Sequence, residues 1–356
     1  MATVERSPGS IYASRKTLSI MLTYACPAEC TNCGTSSSPR DKNNLNLDVA
    51  LSGIEQAKAL DFANVVFTGG EATLRWKDLL LAIRHADELG LPTRLVTNAH
   101  WARTPEIASA LLDELLQAGL KEINFSTGDQ HVRFVPLDRV VFAAIATVEC
   151  GMTAHIMIEL RSERQISKDT VLNHLLLQQL SQDKKQLIQP TESPWMPLDP
   201  DLIESYPNGM AINSSNLSSC VGCESVLQTY VLQADGRIGS CCGLGMRLIP
   251  ELSVGMAEGE SFLSEAIQTA EEDFLKVWLH YKGPEKVLAW AAQYDPEIAW
   301  ENKYGHRCQA CIRVYKDRRV HDVIHEHYDE IVPEVIQSVW LREYYIPSKL
   351  SGARAG

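Results

Sequence analysis

"TLSIMLTYACPAECTNCG", residues 17–34, decides how the chain is read. Its first eight residues are apolar and β-branched enough for a buried strand. Directly behind them, Cys26, Cys30 and Cys33 fall within eight positions. Cysteines grouped so tightly, in a chain whose N-terminus shows no signal-peptide anatomy, point to metal and not to a disulfide framework. Three thiolates on one turn-like loop can face one point. Spacing alone leaves two readings open. Zinc wants four ligands in a closed structural site. An iron–sulfur cube held by three thiolates keeps one iron open, and it is the favoured reading.

Working outward, further apolar runs are "NVVFT" (64–68), "TRLVT" (93–97), "EINFS" (122–126), "TAHIMIEL" (153–160) and "KQLIQ" (185–189). Patterns of helical period fill the gaps. "TPEIASALLDELLQAG" opens with Thr104 as N-cap and Pro105 in the first turn, and Gly119 closes it. Strand and helix alternating at about 30 residues mean βα units on a parallel sheet. Six units fit before residue 190, too few for an eight-fold barrel. Periodicity does not separate an open doubly wound sheet from a partial barrel, but both place function at the carboxyl ends of the strands.

After residue 189 the texture changes. "PTESPWMPLDPDLIESYP" carries five prolines between 190 and 207 and reads as an irregular connector, set at 191–214. Residues 215–312 hold six cysteines, a hairpin "TYVLQADGRIGSCC" turning at Asp235-Gly236, and a long helical insert near 259–296. Residues 313–356 read as a C-terminal helix ending in a loose tail, and 1–16 as an N-terminal extension.

The chain carries 33 Lys and Arg against 45 Asp and Glu, a formal charge of −12. That balance argues against non-specific nucleic-acid binding. No apolar run is long enough to span a bilayer. A cytoplasmic, membrane-free protein is the default expectation.

The second run leads into "VFTGGEATL", with Gly69, Gly70 and Glu71 leaving the strand. Paired glycines let backbone approach a ligand closely, and the acid behind them can receive an ammonium. The bland alternative is a βα turn with an acid near a helix start.

Together, Cys26-x3-Cys30-x2-Cys33, Gly69-Gly70-Glu71 and the six βα units resemble the radical S-adenosylmethionine enzymes. The resemblance covers residues 17–190. It implies a partial (β/α)6 TIM-like barrel and a [4Fe–4S] cluster on the three cysteines. S-adenosylmethionine would chelate the open iron and give a 5′-deoxyadenosyl radical that abstracts a hydrogen atom. It further implies that Gly69, Gly70 and Glu71 bind the methionyl amine, and that Asn98, Ser126 and Arg161, at the ends of strands three to five, meet the cofactor. Ordinary loop polarity is the competing reading for each. Two positions depart from the family pattern: Asn32 stands where an aromatic is usual, and Ala99 where a glycine is usual. Asp129 and His131, after strand four, either touch ribose or substrate or cap the next helix.

The later cysteines resemble the SPASM or shortened twitch module, a small cysteine-rich auxiliary-cluster domain. The resemblance implies one auxiliary [4Fe–4S] cluster on Cys223, Cys241, Cys308 and Cys311, with electron transfer as its role. A zinc ribbon on two Cys-x2-Cys knuckles, Cys220/Cys223 and Cys308/Cys311, is the alternative. Cys220 and Cys242 are left over, and Cys150 reads as buried and inert. The family analogy makes a ribosomally made peptide the leading substrate, with a small alcohol or amino sugar as runner-up and a non-catalytic Fe–S or zinc scaffold as the reading from another class. The first strand begins by residue 17, which leaves no room for an N-terminal leader-recognition domain, so the expectation is that a separate leader-binding protein presents the peptide or that the barrel surface binds it directly. A flavodoxin or ferredoxin is the expected reductant.

Overall fold

In the computed structural model, residues 16–345 are described, apart from 200, 204, 208 and 244. The expected N-terminal extension, except Lys16, and the expected tail beyond 345 lie outside the described residues. The chain enters through β1 (Thr17–Met21) and alternates strand with helix: α1 (Leu47–Ala59), β2 (Asn64–Thr68), α2 (Trp76–Glu88), β3 (Thr93–Thr97), α3 (Pro105–Gln117), β4 (Glu122–Thr127), α4 (Leu137–Glu149) and β5 (Ala154–Leu160). Three short helices, α5 (Lys168–Leu172), α6 (Leu175–Gln178) and α7 (Gln182–Gln186), precede β6 (Ile188–Pro194). Local chemistry sets the helix starts. The side chain of Asn46 caps α1 by accepting from Asp48 N, and that of Thr104 caps α3 by accepting from Ile107 N.

The six strands pair in parallel in the order β6-β5-β4-β3-β2-β1. Their buried residues, among them Ile20, Phe67, Leu95, Phe125 and Ile156, join Ile54, Ile83, Leu112 and Val141 from the helices in one core. Truncating a side chain as fully enclosed as Phe67 would cost about 3–5 kcal/mol.

Strand six departs from expectation. Residues 182–186 are helical, and the strand runs on through Pro190 to Pro194. β6 is the edge of the sheet, so prolines that would break an inner strand leave no ladder bond unmade on the outer side. The barrel strands therefore extend into the segment expected to be connector.

Beyond it, β7 (Thr229–Leu232), β8 (Arg237–Gly239) and β9 (Ser253–Met256) do not form a sheet of their own. β7 pairs in parallel with β1, Thr17 opposite Thr229, and β8 and β9 follow antiparallel, so nine strands share one sheet. The helical insert is three helices, α8 (Phe262–Glu271), α9 (Phe274–Lys282) and α10 (Pro284–Tyr294). The C-terminal helix is two, α11 (Arg307–Lys316) and α12 (Arg318–Trp340), broken where Asp317 turns extended and caps α12 at Arg319 N. Among the described residues, no helix is long and apolar enough to cross a membrane.

Candidate active site

The loop after β1 carries Cys26, Cys30 and Cys33, and all three line a cavity of about 190 Å³ with Gly69, Gly70, Glu71 and Asn98. The glycines are there because β2 leaves the sheet pressed against that loop. A Cβ on Gly70 would lie 2.2 Å from Ala25 O, and one on Gly69, at φ +112°, would lie 2.8 Å from Met21 Cβ. Backbone bonds fix the contact: Gly70 N donates to Thr23 O (3.0 Å) and Glu71 N to Ala25 O (2.8 Å).

Glu71 is 1% exposed. Its carboxylate accepts from Thr73 Oγ1 (2.6 Å), Thr97 Oγ1 (2.8 Å) and Asn98 N (2.9 Å). This buried acid joins the ends of β2 and β3, work that the sequence did not reveal beside its expected contact with an ammonium. Asn98 in turn aims its Nδ2 at Cys26 Sγ (3.5 Å), and Ala28 N points there too (3.4 Å). Both donors suit a thiolate better than a thiol. Burial pushes the Cys26 and Cys30 thiols up to about 12. As free thiols they stay protonated, and metal binding would deprotonate them.

The two departures from the family pattern have local explanations. Asn32 takes a left-handed φ of 59°, which asparagine tolerates better than an aromatic residue does. Its Oδ1 accepts from Leu198 N (3.4 Å), while Trp195 Nε1 donates to Thr31 O (3.0 Å). The strand-six exit thus straps the cysteine loop and lays an aromatic ring in the cavity wall. Ala99 also sits at φ 59°, the conformation a glycine would adopt without strain.

The second cysteine group gathers around a larger cavity of about 460 Å³. Cys223, Cys241, Cys308 and Cys311 all line it. Cys241 and Cys311 are raised well above the ordinary thiol range, first by burial and then by neighbouring cysteines: Cys242, Cys223 and Cys308 around Cys241, and Cys241, Cys308 and Cys223 around Cys311. A Cβ at Gly243 would stand 3.0 Å from Cys241 Sγ and 3.2 Å from Cys308 Sγ, so the bare glycine backbone leaves room beside both sulfurs. Cys220 stands apart: its thiol is raised by partial burial and by Glu285, not by the other cysteines. Cys242 is exposed and shares the Ser225 hydroxyl with Cys241. Among the described residues, no three His, Cys, Asp or Glu side chains converge tightly enough to hold one metal ion. Cys223 and Cys241 are buried and Cys308 and Cys311 half-buried around this cavity, so four thiols make up its sulfur donor set, a set that suits a thiolate-held metal centre.

The two cavities meet. Ser126, His131 and Trp195 line both. Arg161 lies just past β5 and is not among the side chains lining either cavity; its carbonyl accepts from Arg164 Nη1. Asp129 accepts from Gln165 N and Ile166 N on the loop after β5 and does not cap α4, whose N-cap position, Pro136, has no side-chain cap. Cys150, expected to be buried, is exposed at the C-cap of α4, two residues past buried Val148.

Glu159 was not foreseen. It is 4% exposed, near the end of β5, and lines the larger cavity. It accepts from Gln130 N (2.8 Å), His131 N (3.1 Å) and His131 Nδ1. Gly128, at φ +136°, passes so close that a Cβ there would be 2.5 Å from Glu159 Cγ. A lone acid in an apolar strand carries no motif. The clue was the acid's place near the strand end, opposite a Gly-Asp-Gln-His loop.

Residues 20–128 match the profile of the Radical SAM superfamily. The matched stretch, β1 to β4, is thus a radical SAM domain on the parallel sheet described above, and a cysteine-rich C-terminal region follows it. It is 28% identical over 123 residues to a PqqA peptide cyclase of Bradyrhizobium diazoefficiens, covering 34% of this chain and 31% of that one. A PqqA peptide cyclase of Rhodopseudomonas palustris is 33% identical over 106 residues, 30% of this chain and 26% of that one. The chain thus spans less than a third of the length of these curated relatives. The solved structure of native anSMEcpe with bound AdoMet and Cp18Cys peptide superposes over 91% of this chain and 99% of that one, with a TM-score of 0.51 and 13% identity, a likeness of fold.

Proposed function

We propose that the chain is a radical S-adenosylmethionine enzyme that oxidises a residue of a ribosomally made peptide. One observation carries the reading: a cysteine-lined cavity at the carboxyl edge of the sheet shares a wall with a second cysteine-lined cavity. Cys26, Cys30 and Cys33 would hold a [4Fe–4S] cluster, with S-adenosylmethionine against Gly69, Gly70, Asn98 and Ser126. Cys223, Cys241, Cys308 and Cys311 would hold an auxiliary [4Fe–4S] cluster. When bound, the first pair supplies a carbon radical and the second cluster one-electron transfer. Glu71 keeps the ends of β2 and β3 in register around the first site, and the Trp195 strap limits access to it.

A peptide substrate is supported by the PqqA peptide cyclases and by the peptide bound to anSMEcpe. The apolar walls of the larger cavity, among them Met157, Ile158, Pro194 and Met196, suit a side chain better than a sugar. A leader-binding protein and a flavodoxin or ferredoxin would complete the system. Anaerobic reconstitution tests the reading. It should give about eight irons per chain, as two four-iron clusters require, and cleavage of S-adenosylmethionine to 5′-deoxyadenosine. Stoichiometric zinc without cleavage would overturn it. A short precursor peptide encoded beside the gene, altered in mass by the enzyme, would settle the substrate class.

A further inference from the structure

We infer that His131 is the proton acceptor of the reaction and that Glu159 is the positioning residue that aims it. This rests on the radical reading of the two cavities. His131 is one of three residues standing in both. Its Nδ1 faces the Glu159 carboxylate, whose side chain is 3% exposed. A carboxylate only accepts, so Nδ1 carries the hydrogen, and Nε2 is the ring nitrogen left for an occupant. Among the described residues no group pairs with that Nε2, and the His131 side chain keeps 17% exposure.

Three further contacts fix the ring. Its own backbone N–H and that of Gln130 bind the two Glu159 oxygens, and Trp195 packs edge-on at 5.8 Å between ring centroids. Thr127, beside it in the wall of the larger cavity, is 1% exposed, and its Oγ1 is buried with no partner among the described residues. The wall of this cavity thus carries both a buried hydroxyl without a partner and a held imidazole. A buried hydroxyl without a partner is costly, and a polar group of the occupant would remove that cost.

The step is a proton transfer. An X–H bond of the substrate breaks, its electron pair stays on the substrate, and the proton goes to Nε2. The imidazolium formed lies against the Glu159 carboxylate, which stabilises its charge. Glu159 does not itself touch the occupant in this scheme. It fixes the tautomer and ring plane, and it ties the reacting loop to β5.

The test needs no substrate. Reconstituted full-length protein is treated with diethyl pyrocarbonate, which acylates accessible unprotonated imidazoles, and His131 is followed by peptide mass mapping. Wild type should react there. Glu159→Gln should react about tenfold more slowly, while Glu159→Asp, which keeps the charge, should recover to within about threefold. Nitrogen-15 spectra of histidine-labelled protein, with the signal assigned by His131→Gln, should show the Nδ1–H tautomer. An unreactive His131, equal rates in wild type and Glu159→Gln, or an Nε2–H tautomer would each overturn the proposal. So would protection by S-adenosylhomocysteine beyond tenfold, because His131 would then belong to the nucleoside site. If the wild type cleaves no S-adenosylmethionine yet His131 behaves as expected, the radical reading fails and the assignment of the base stands.

Discussion

The guanidinium of Arg247 stands 3.5 Å from the centroid of the Tyr24 ring. Arg247 belongs to the auxiliary segment, and Tyr24 lies two residues before Cys26. The same guanidinium donates from Nη1 to Thr35 O (2.7 Å) and Ser36 O (3.1 Å), and from Nη2 to Asp41 (3.3 Å). Thr35 passes the contact on, to Gly69 O (3.2 Å) and Cys33 Sγ (3.4 Å). One arginine from the second half of the chain therefore holds both arms of the three-cysteine loop in the first half. Tyr24 is secured from the other side as well, its hydroxyl donating to Gln233 Oε1 (2.8 Å).

Replacing that arginine should loosen the loop without removing a metal ligand. Arg247→Met should cost about 2 kcal/mol, from the lost charged hydrogen bonds and cation–π contact. Urea denaturation would measure it. Hydrogen exchange should rise over residues 33–41, while β4 and β5 stay protected. Unchanged exchange in that segment would show that the arginine is not what orders it.

Loss of a single thiol should separate the two cysteine sets. Cys30→Ala should abolish cleavage of S-adenosylmethionine. Cys308→Ala should keep part of it while impairing turnover of the true substrate. Equal total loss in both, together with lower thermal stability of the Cys308 variant, would mean that the auxiliary site is needed for folding, as expected when metal binding is coupled to folding.

Ala99 pays for its left-handed backbone. Ala99→Gly should remove about 1–2 kcal/mol of steric strain, partly offset by the greater freedom of glycine in the unfolded chain. A net gain of up to about 1 kcal/mol in urea denaturation is expected. A loss would mean that the Ala99 methyl, fully buried here, packs too well to be spared.

Acid should weaken the fold in a defined direction. His100 is lowered below 6.5, first by burial, then by Arg139 and Arg103, with nearby Glu71 pulling the other way. His280 is lowered by burial and Arg342, against hydrogen bonds to the Cys223 and Val226 carbonyls. In both cases the unfolded chain takes up the proton first. The contribution is complete above pH 6.5 and is lost as the pH falls below it. Unfolding free energies of wild type and His100→Gln between pH 8 and pH 5 would show it, because the variant should have the shallower slope. Parallel slopes would exclude His100 as a source.

Strands one to five could be read from sequence because half-buried and buried strands leave a local trace. β4, for instance, alternates partly and fully buried residues along its length. β6 was misplaced because its prolines signal a break, and only its place at the sheet edge makes them harmless. In the second set, Cys223 and Cys241 were picked by their distance to the Asp235-Gly236 turn and Cys308 and Cys311 by their Cys-x2-Cys spacing; all four line one cavity. What left no local trace was long-range: the Glu159–His131 pair, the Arg247 clamp and the pairing of β7 with β1. Each joins residues far apart in sequence whose individual identities are unremarkable in context.

That last pairing bears on the order in which the molecule is made. β1 launches the three-cysteine loop, yet one of its two edges is filled by a strand that emerges roughly two hundred residues later, a slow, high-contact-order closure. Until β7 arrives, that edge is an open template for other strands. The cysteines that come out first thus hang from a strand whose second edge is filled last, and a nascent chain short of Leu232 carries its three thiols behind a half-paired β1.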